Sequence, residues 1–437
     1  MVVPVIVDDL QIPPASSIWP ASAFALTAGG SLLIFGRLVD IYGGQNIYIF
    51  GLVWFIIWSL IAGFSTNAIM LDCARAFQGL GPAAFLTSGV SLLGLTYPPG
   101  RRKNVVFSVY GGSAPLGFFL GILVGGLTTQ LLSWRWYFWI GAILSFLAVI
   151  SAIFSLPRGL NDRFDSKRPE MDWVGSVVFF GGLVLVIFAI TDSAFAPRGW
   201  RTSYIWSTFI IGILALIFVV IWEGCKAKDP LLPLTLFKLP NMAAFTIAQF
   251  FSFGVFGIWL FYVTLYMQDI IKIDPLQVVA WFVPFGVGGL VISAVGGLVL
   301  HRVPGWVLLA VSGVAWVVAP LLFALMPDGA SYWAWVFPAM LCGTLGIDIA
   351  YNVSSIFITT TLSEDQQGLA GAVLNSLMFL GISVFLGFAG LISSEAGGGS
   401  TKESYKAALW FAVACAGVSL SISLLFVRMP RASAEVI

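Results

Sequence analysis

The sequence predicts an all-α polytopic membrane protein, and three observations predict it. The chain holds thirteen apolar stretches of spanning length, only 9% of its 437 residues are charged, and many of its 47 glycines lie inside the apolar runs. Crossing hydrocarbon takes about 20 helical residues. A soluble domain carries roughly a quarter charged residues, so a chain that is 59% hydrophobic cannot clothe a water-facing surface. Soluble helices avoid internal glycine, whereas packed membrane helices use it to bring backbones close. Strand-period alternation is absent, which argues against a β-barrel.

Taken in order, the stretches fall at 17–38, 46–66, 69–97, 105–130, 137–156, 172–192, 203–222, 242–267, 278–299, 305–326, 332–360, 367–393 and 405–427. The start, Met1 to Val7, is too short to span and is ended by Asp8 and Asp9, so no cleavable signal peptide is expected. One alternate set of connections holds Arg37, Arg101-Arg102-Lys103, Arg158, Arg163, Lys167, Arg168, Lys226, Lys228, Lys238, Arg302, Arg428 and Arg431. The other holds Arg135, Arg198, Arg201, Lys272, Lys402 and Lys406. The richer set is expected to be cytoplasmic, which puts the C-terminus inside.

Two longer polar connections, 157–171 and 223–241, bracket the pair of helices at 172–192 and 203–222. The expected organisation is an N-terminal bundle over 1–156, a linker region with two inserted membrane helices over 157–241, and a C-terminal bundle over 242–437. A weak repeat supports it. Gly36 to Gly43 joins the first two spans, and Gly297 to Pro304 occupies the matching place in the second bundle. Likewise the glycines of 111–126 have an echo at Gly368, Gly371, Gly381, Gly387 and Gly390. Duplicated bundles around a midplane site are a common plan for secondary transporters.

Composition also excludes. Cys73, Cys225, Cys342 and Cys415 are scattered, and no spacing suggests a zinc site or a disulfide framework. The net charge of +1 gives no hint of nucleic acid. No His-Glu-x-x-His pair is present, so neither an intramembrane hydrolase nor a metal or cofactor is expected. His301, the one histidine, receives no role, and the 17 Trp and 37 Phe suit lipid contact as well as any pocket.

Ionisable residues at lipid depth are costly and mark either helix clamps or solute pathways. Arg75 lies about two turns into its span and must face water or a partner, as a clamp between helices would; Asp72, on the same face, sits near the boundary. Asp348, inside 332–360, has Tyr351 and Asn352 on its face at i+3 and i+4. It is expected to be the proton carrier or a cation anchor, against the alternative of a hydrogen-bonded acid that locks packing. Asp40, with Gly36 and Gly43, reads as a conformational latch, its carboxylate set against the next helix's N-terminus. Gly117, Gly121 and Gly125 recur every four residues and are expected to form one close-packed seam. Gln78, Tyr110, Gln249, Tyr262, Tyr351, Asn352 and Asn375 are the candidates for a substrate cavity, each weighed against ordinary satisfied packing. Tyr266 shares that ambiguity.

Several segments carry a family resemblance. The loop pattern G-x-L-x-D-R-x-G-R-K appears as Gly36, Leu38, Asp40 and Gly43, with Ile41, Gly44 and Gln45 in place of its basic residues. R-x-x-Q-G-x-G appears as Arg75, Gln78, Gly79 and Gly81. G-x-x-x-G-P-x-x-G-G is matched by Gly117, Gly121, Gly125 and Gly126, with Ile122 at the proline position. Trp134 to Trp139 and Asp172 to Gly175 also fit. In this order and spacing, the chain resembles the major facilitator superfamily, specifically its fourteen-span drug:proton antiporters of the fungal aminotriazole-resistance type. The resemblance implies a two-bundle fold and proton-coupled efflux of a small organic compound such as a drug, toxin or secondary metabolite. It implies a proton-transfer role for Arg75 and no cofactor. The expected partners are the lipid bilayer, the substrate and protons, with the chain a monomer in the plasma membrane or, alternatively, the vacuolar membrane. It also implies a first helix upstream of Pro4 to Leu10, most of which this chain is expected to lack. Uptake or uniport of a small cation or amine such as ammonium is the competing function, since a lone Asp348 suits a cation.

Overall fold

The computed structural model describes residues 2–97, 101–156, 170–194, 196–226, 230–232, 234–299, 303–362, 367–396 and 400–427. Within them the regular elements are all helical: α1 (Val2–Asp9), α2 (Trp19–Tyr42), α3 (Gly44–Gly63), α4 (Ala68–Thr96), α5 (Arg101–Leu131), α6 (Arg135–Ser155), α7 (Trp173–Asp192), α8 (Ser203–Cys225), α9 (Met242–Leu265), α10 (Pro275–Trp281), α11 (Val283–Val299), α12 (Gly305–Ala324), α13 (Phe337–Thr361), α14 (Gln367–Ala396) and α15 (Thr401–Phe426). Thirteen stretches of helix among the described residues are long and apolar enough to cross a membrane, and they coincide with the thirteen expected from sequence. His301, Arg158, Arg163, Lys167, Arg168, Lys228, Arg302, Arg428 and Arg431 lie outside the described residues, as does most of the 157–171 connection.

The ends of these helices follow from local chemistry. Gly43, at φ 88°, closes α2 in a conformation that suits glycine and lets α3 begin at the next residue. Asn67 caps α4 by accepting the Met70 N–H at 2.9 Å, and Asp172 caps α7 by accepting the Gly175 N–H at 2.9 Å. One span is broken where the sequence suggests continuity. Pro284 has no N–H to give and its ring crowds the carbonyl four residues back, so α10 stops at Trp281 and α11 restarts at Val283.

Helices α2, α3, α4 and α6 pack together as a first half, and α9 with α11 to α15 as a second. The inserted pair α7–α8 packs on itself and lies against α2 and α14. Glycine sets the tightest crossings. A Cβ on Gly51 of α3 would stand 2.9 Å from the Gly81 carbonyl of α4, and one on Gly81 would stand 3.0 Å from the Gly51 carbonyl. Gly182 and Gly212 make the same reciprocal crossing between α7 and α8, at 3.2 and 3.0 Å. Such approaches substitute for the hydrophobic drive that lipid does not supply. The most extensive buried cluster belongs to the second half, where Trp259, Trp316, Phe282 and Phe285 interlock, the two indoles 6.0 Å apart and near perpendicular.

The halves meet along two seams. In the first, α2 lies against α14: the Ser22 and Ser383 hydroxyls are 3.0 Å apart, and Gly29 faces the Leu380 backbone. In the second, α5 runs beside α10 and α11: Gln130 Oε1 accepts the Leu276 N–H at 2.8 Å, and Gly126 abuts Val279. At the start of α6, Asp9 accepts from Trp134 Nε1 at 2.8 Å and pairs with Arg135 at 3.1 Å, which ties α1 to that helix.

Candidate functional site

Arg75 is clasped by the first half alone. Its Nε donates to the Pro20 carbonyl of α2 at 3.0 Å, and Nη1 donates to Gln78 Oε1 at 2.6 Å. Gln78, 2% exposed, donates onward to Ser59 Oγ of α3 at 2.6 Å. The Phe24 ring covers the guanidinium at 4.2 Å. Arg75 thus holds α2 to α4, and it also borders open space. Gln78 is spent in this relay and buried, so it serves the clasp rather than a cavity wall. Asp72 makes no ion pair with Arg75 among the described residues, and its Oδ1 is buried without a hydrogen-bond partner.

The open space is a cavity of about 450 Å³ beneath α1, walled by α4, α5 and α6 of one half and by α9 and α14 of the other. Arg75, Gly117, Gly121, Gly125 and Phe256 are among its lining residues. This corrects the expected glycine seam. A Cβ on Gly117 or Gly121 would meet nothing within 4 Å, so these two face the cavity, while the close approach falls on the next residue along, Gly126. A four-residue period fixes one face of a helix but not which neighbour that face meets.

Asp348 stands elsewhere, where α13 faces α11 and α5. Its Oδ2 accepts from Thr344 Oγ1 at 3.0 Å, and the same carboxylate oxygen lies against Gly289 of α11, whose other neighbour is Pro115 of α5. Thr344 also reaches the Phe285 carbonyl at 2.8 Å. No cationic side chain pairs with Asp348 among the described residues. Tyr351 directs its hydroxyl toward Asn375 Oδ1 of α14 at 3.5 Å and stands near Tyr110 of α5. The structure thus brings Tyr351, Asn375 and Tyr110 together, one turn of α13 beyond Asp348. Asn352 does not join them, because its amide turns back to the Asp348 carbonyl at 2.7 Å. Neither does Gln249 or Tyr262. Both are 2% exposed within the packed second half, because α9 is covered by α14 on one side and α15 on the other. Tyr266, equally buried, packs edge-on against Phe323.

Asp40 is exposed near the end of α2, two residues before its last residue Tyr42. Gly36 faces Ala372 of α14 at 3.7 Å, and Gly43 supplies the turn. Three of these partners were missed by sequence reasoning. Thr344, four residues before Asp348 on the same helical face, was legible by spacing. Pro20 and Phe24 were not, since they depend on how α2 is rotated against α4.

Comparison with known proteins decides the family, because the profile described as Major Facilitator Superfamily matches residues 1–386. The chain belongs to the Major Facilitator Superfamily. Among curated superfamily members it is 34% identical to the "Low affinity ammonium transporter" of Saccharomyces cerevisiae, covering 93% of this chain and 79% of that one. It is 31% identical to "Efflux pump terJ" of Aspergillus terreus (93% and 79%) and 30% identical to the "Aminotriazole resistance protein" of Saccharomyces cerevisiae (96% and 80%). These are transporters, not enzymes. Of solved structures, the peptide transporter POT superimposes with a TM-score of 0.67 at 15% identity, over 99% of this chain and 91% of that one. That likeness bears on the fold. The chain is therefore an integral membrane transporter of this superfamily, with relatives named for efflux and for ammonium.

Proposed function

We propose that this transporter exports a small organic compound, such as a drug, toxin or secondary metabolite, in exchange for protons, with Asp348 as the proton-loading acid. The observation that carries the reading is the setting of Asp348: a carboxylate between the halves, held by one hydroxyl and by no cation among the described residues. An acid so placed is free to exchange a proton as the halves rock, whereas an acid locked in an ion pair is not. Arg75 serves as its counterpart in the first half, shaping the cavity through the Gln78–Ser59 relay. The organisation that goes with this is a first bundle over 1–156, an insert over 157–241 and a second bundle over 242–437. The C-terminus faces the cytoplasm, the chain acts as a monomer, and the plasma membrane is its site.

The efflux relatives support the direction. The ammonium-named relative supports a second reading, uptake or uniport of a small cation, for which the unpaired Asp348 carboxylate would be the anchor. Flux into inverted vesicles under an imposed pH gradient separates them. In the first case substrate movement collapses with the gradient, and Asp348→Asn abolishes gradient-driven transport while leaving downhill exchange. Transport by Asp348→Asn that keeps its normal pH dependence would rule out the proton-loading role.

A further inference from the structure

Thr344 stands within reach of two acceptors and has one hydrogen to give. Its Oγ1 is 2.8 Å from the Phe285 carbonyl of α11 and 3.0 Å from Asp348 Oδ2 on its own helix. A hydroxyl donates once and can also accept, so it satisfies both oxygens only when one of them donates to it. The carbonyl has no hydrogen to offer. The carboxyl has one only when it is protonated. The arrangement is seated on glycine: a Cβ on Gly288 would meet the Thr344 methyl at 2.6 Å, and one on Gly289 would meet Asp348 Oδ2 at 3.0 Å. Thr344 is 2% exposed, so water does not readily replace a lost partner.

Two hydrogen arrangements follow. With Asp348 neutral, its O–H donates to Thr344 Oγ1, and the threonine hydrogen turns to the Phe285 carbonyl and links α13 to α11. With Asp348 ionised, the charged oxygen is the stronger acceptor and draws that hydrogen to itself, so the interhelical bond is lost. The carboxyl O–H is the one covalent bond that forms or breaks, and the hydroxyl merely rotates. The neighbouring helices bring no rival charge to this place. Neither α11 nor α12 has a titratable residue. On α5, Pro115 is the neighbour, and Arg101, Arg102 and Lys103 stand about three turns or more away along that helix. Tyr110 of α5 and Tyr351 of α13 lie one turn beyond Asp348. Cys342 is the remaining titratable group of α13, and Glu395 of α14 is exposed beside that helix's last residue.

The same stretch of α11 bears on the first half, since Gly286 faces Phe119 and Gly289 faces Pro115 of α5. A bond that comes and goes on the α13 side therefore acts on the helix that meets the seam. We propose that Thr344 is the positioning residue that turns protonation of Asp348 into a fastening between α13 and α11, its hydrogen lying on the Phe285 carbonyl when Asp348 is neutral and on Asp348 when it is ionised. This rests on the proton-loading reading above and supplies the step by which a proton on one side chain is felt at the α5–α11 seam.

Amide hydrogen exchange in α11, measured by mass spectrometry on the full chain in lipid nanodiscs and corrected for the intrinsic effect of pH, tests this. Lowering the pH from about 9 to about 5 should protonate Asp348. Exchange in α11 should then slow about fivefold, the effect of one added hydrogen bond. Asp348→Asn, whose amide donates to Thr344 at any pH, should hold the slow rate throughout. Thr344→Val, equal in size but without a hydroxyl, should abolish the pH step, and Thr344→Ser should restore it. A step that survives Thr344→Val, or a serine variant that behaves as the valine one, overturns the proposal. So does exchange in Asp348→Asn at the fast, high-pH rate, which needs no change at Thr344. The infrared band of the protonated carboxyl, assigned by its loss in Asp348→Asn, separates the two readings. A band that appears in acid beside an exchange step indifferent to Thr344 refutes the fastening alone. No band at any pH refutes proton loading, and Asp348→Asn with and without Thr344→Val then decides the fastening, equal exchange in the two overturning it.

Discussion

Arg75 donates to the Gln78 amide oxygen at 2.6 Å, and the other end of that amide donates to Ser59, so one side chain joins a buried cation to the neighbouring helix. Each end of Gln78 is committed. The relay makes the orientation of Arg75 a property of three helices, α2, α3 and α4, rather than of one rotamer.

Replacing Gln78 by Leu should therefore unseat Arg75. It strands a charged donor and the Ser59 hydroxyl, at a cost of about 1–3 kcal/mol. A lowered unfolding temperature of the purified protein, together with weaker substrate binding, is the expected result. Gln78→Glu should lose less stability, since it keeps an acceptor for Arg75. Equal losses in the two variants would show that the relay is not what holds Arg75.

Glycines of the same helical system should respond in opposite ways. Gly51→Val forces a branched side chain into the α3–α4 crossing, and overpacking of that kind costs about 1–3 kcal/mol. Poor expression and aggregation on extraction are expected. Gly121→Val meets nothing, so the chain should insert and purify normally, with transport impaired because cavity volume is lost. Normal transport by that variant would remove α5 from the pathway.

The Ser22 and Ser383 hydroxyls, 3.0 Å apart across the α2–α14 seam, offer a direct probe of whether the halves separate there. The double variant Ser22→Cys with Ser383→Cys should form a cross-link on mild oxidation and stop transport, with recovery on reduction. The single variants should be indifferent to oxidant. A cross-linked chain that still transports would mean that this seam stays shut throughout the cycle.

At the surface, Asp9 carries a pH prediction. The hydrogen bond from Trp134 and the charge of Arg135 hold its carboxyl below the ordinary carboxylate value, although partial desolvation opposes them. A depressed value means that the α1–α6 tie is at full strength above the usual carboxylate range and is lost only as pH falls through and below it. The tie is half exposed, so its contribution is small. Nitroxide labels at Gln11 and Leu132 should report one narrow distance at pH 5 and above, broadening only in stronger acid. Asp9→Asn should broaden it at every pH.

Much of the fold was legible because hydropathy over twenty residues is a strong signal and lipid permits few alternatives to helix. The faces of those helices were less so. In α5 the four-residue glycine period was visible, but whether it met a partner or a void depended on where α9 and α14 stand. In α13 the spacing set Tyr351 one turn from Asp348, but neither the reach of Tyr351 to Asn375 nor the turn of Asn352 back onto its own backbone could be told from it. Gln249 and Tyr262 looked like lining residues because α9 is apolar on every side, and a helix buried all round gives no contrast by which to choose.

The bare wall formed by Gly117 and Gly121 has a bearing on tolerance. Where a protein recognises cargo through projecting side chains, each projection is also a veto on some outline. A surface of backbone hydrogens imposes no such shape, so under the export reading proposed above this stretch of α5 would turn away few compounds by outline alone.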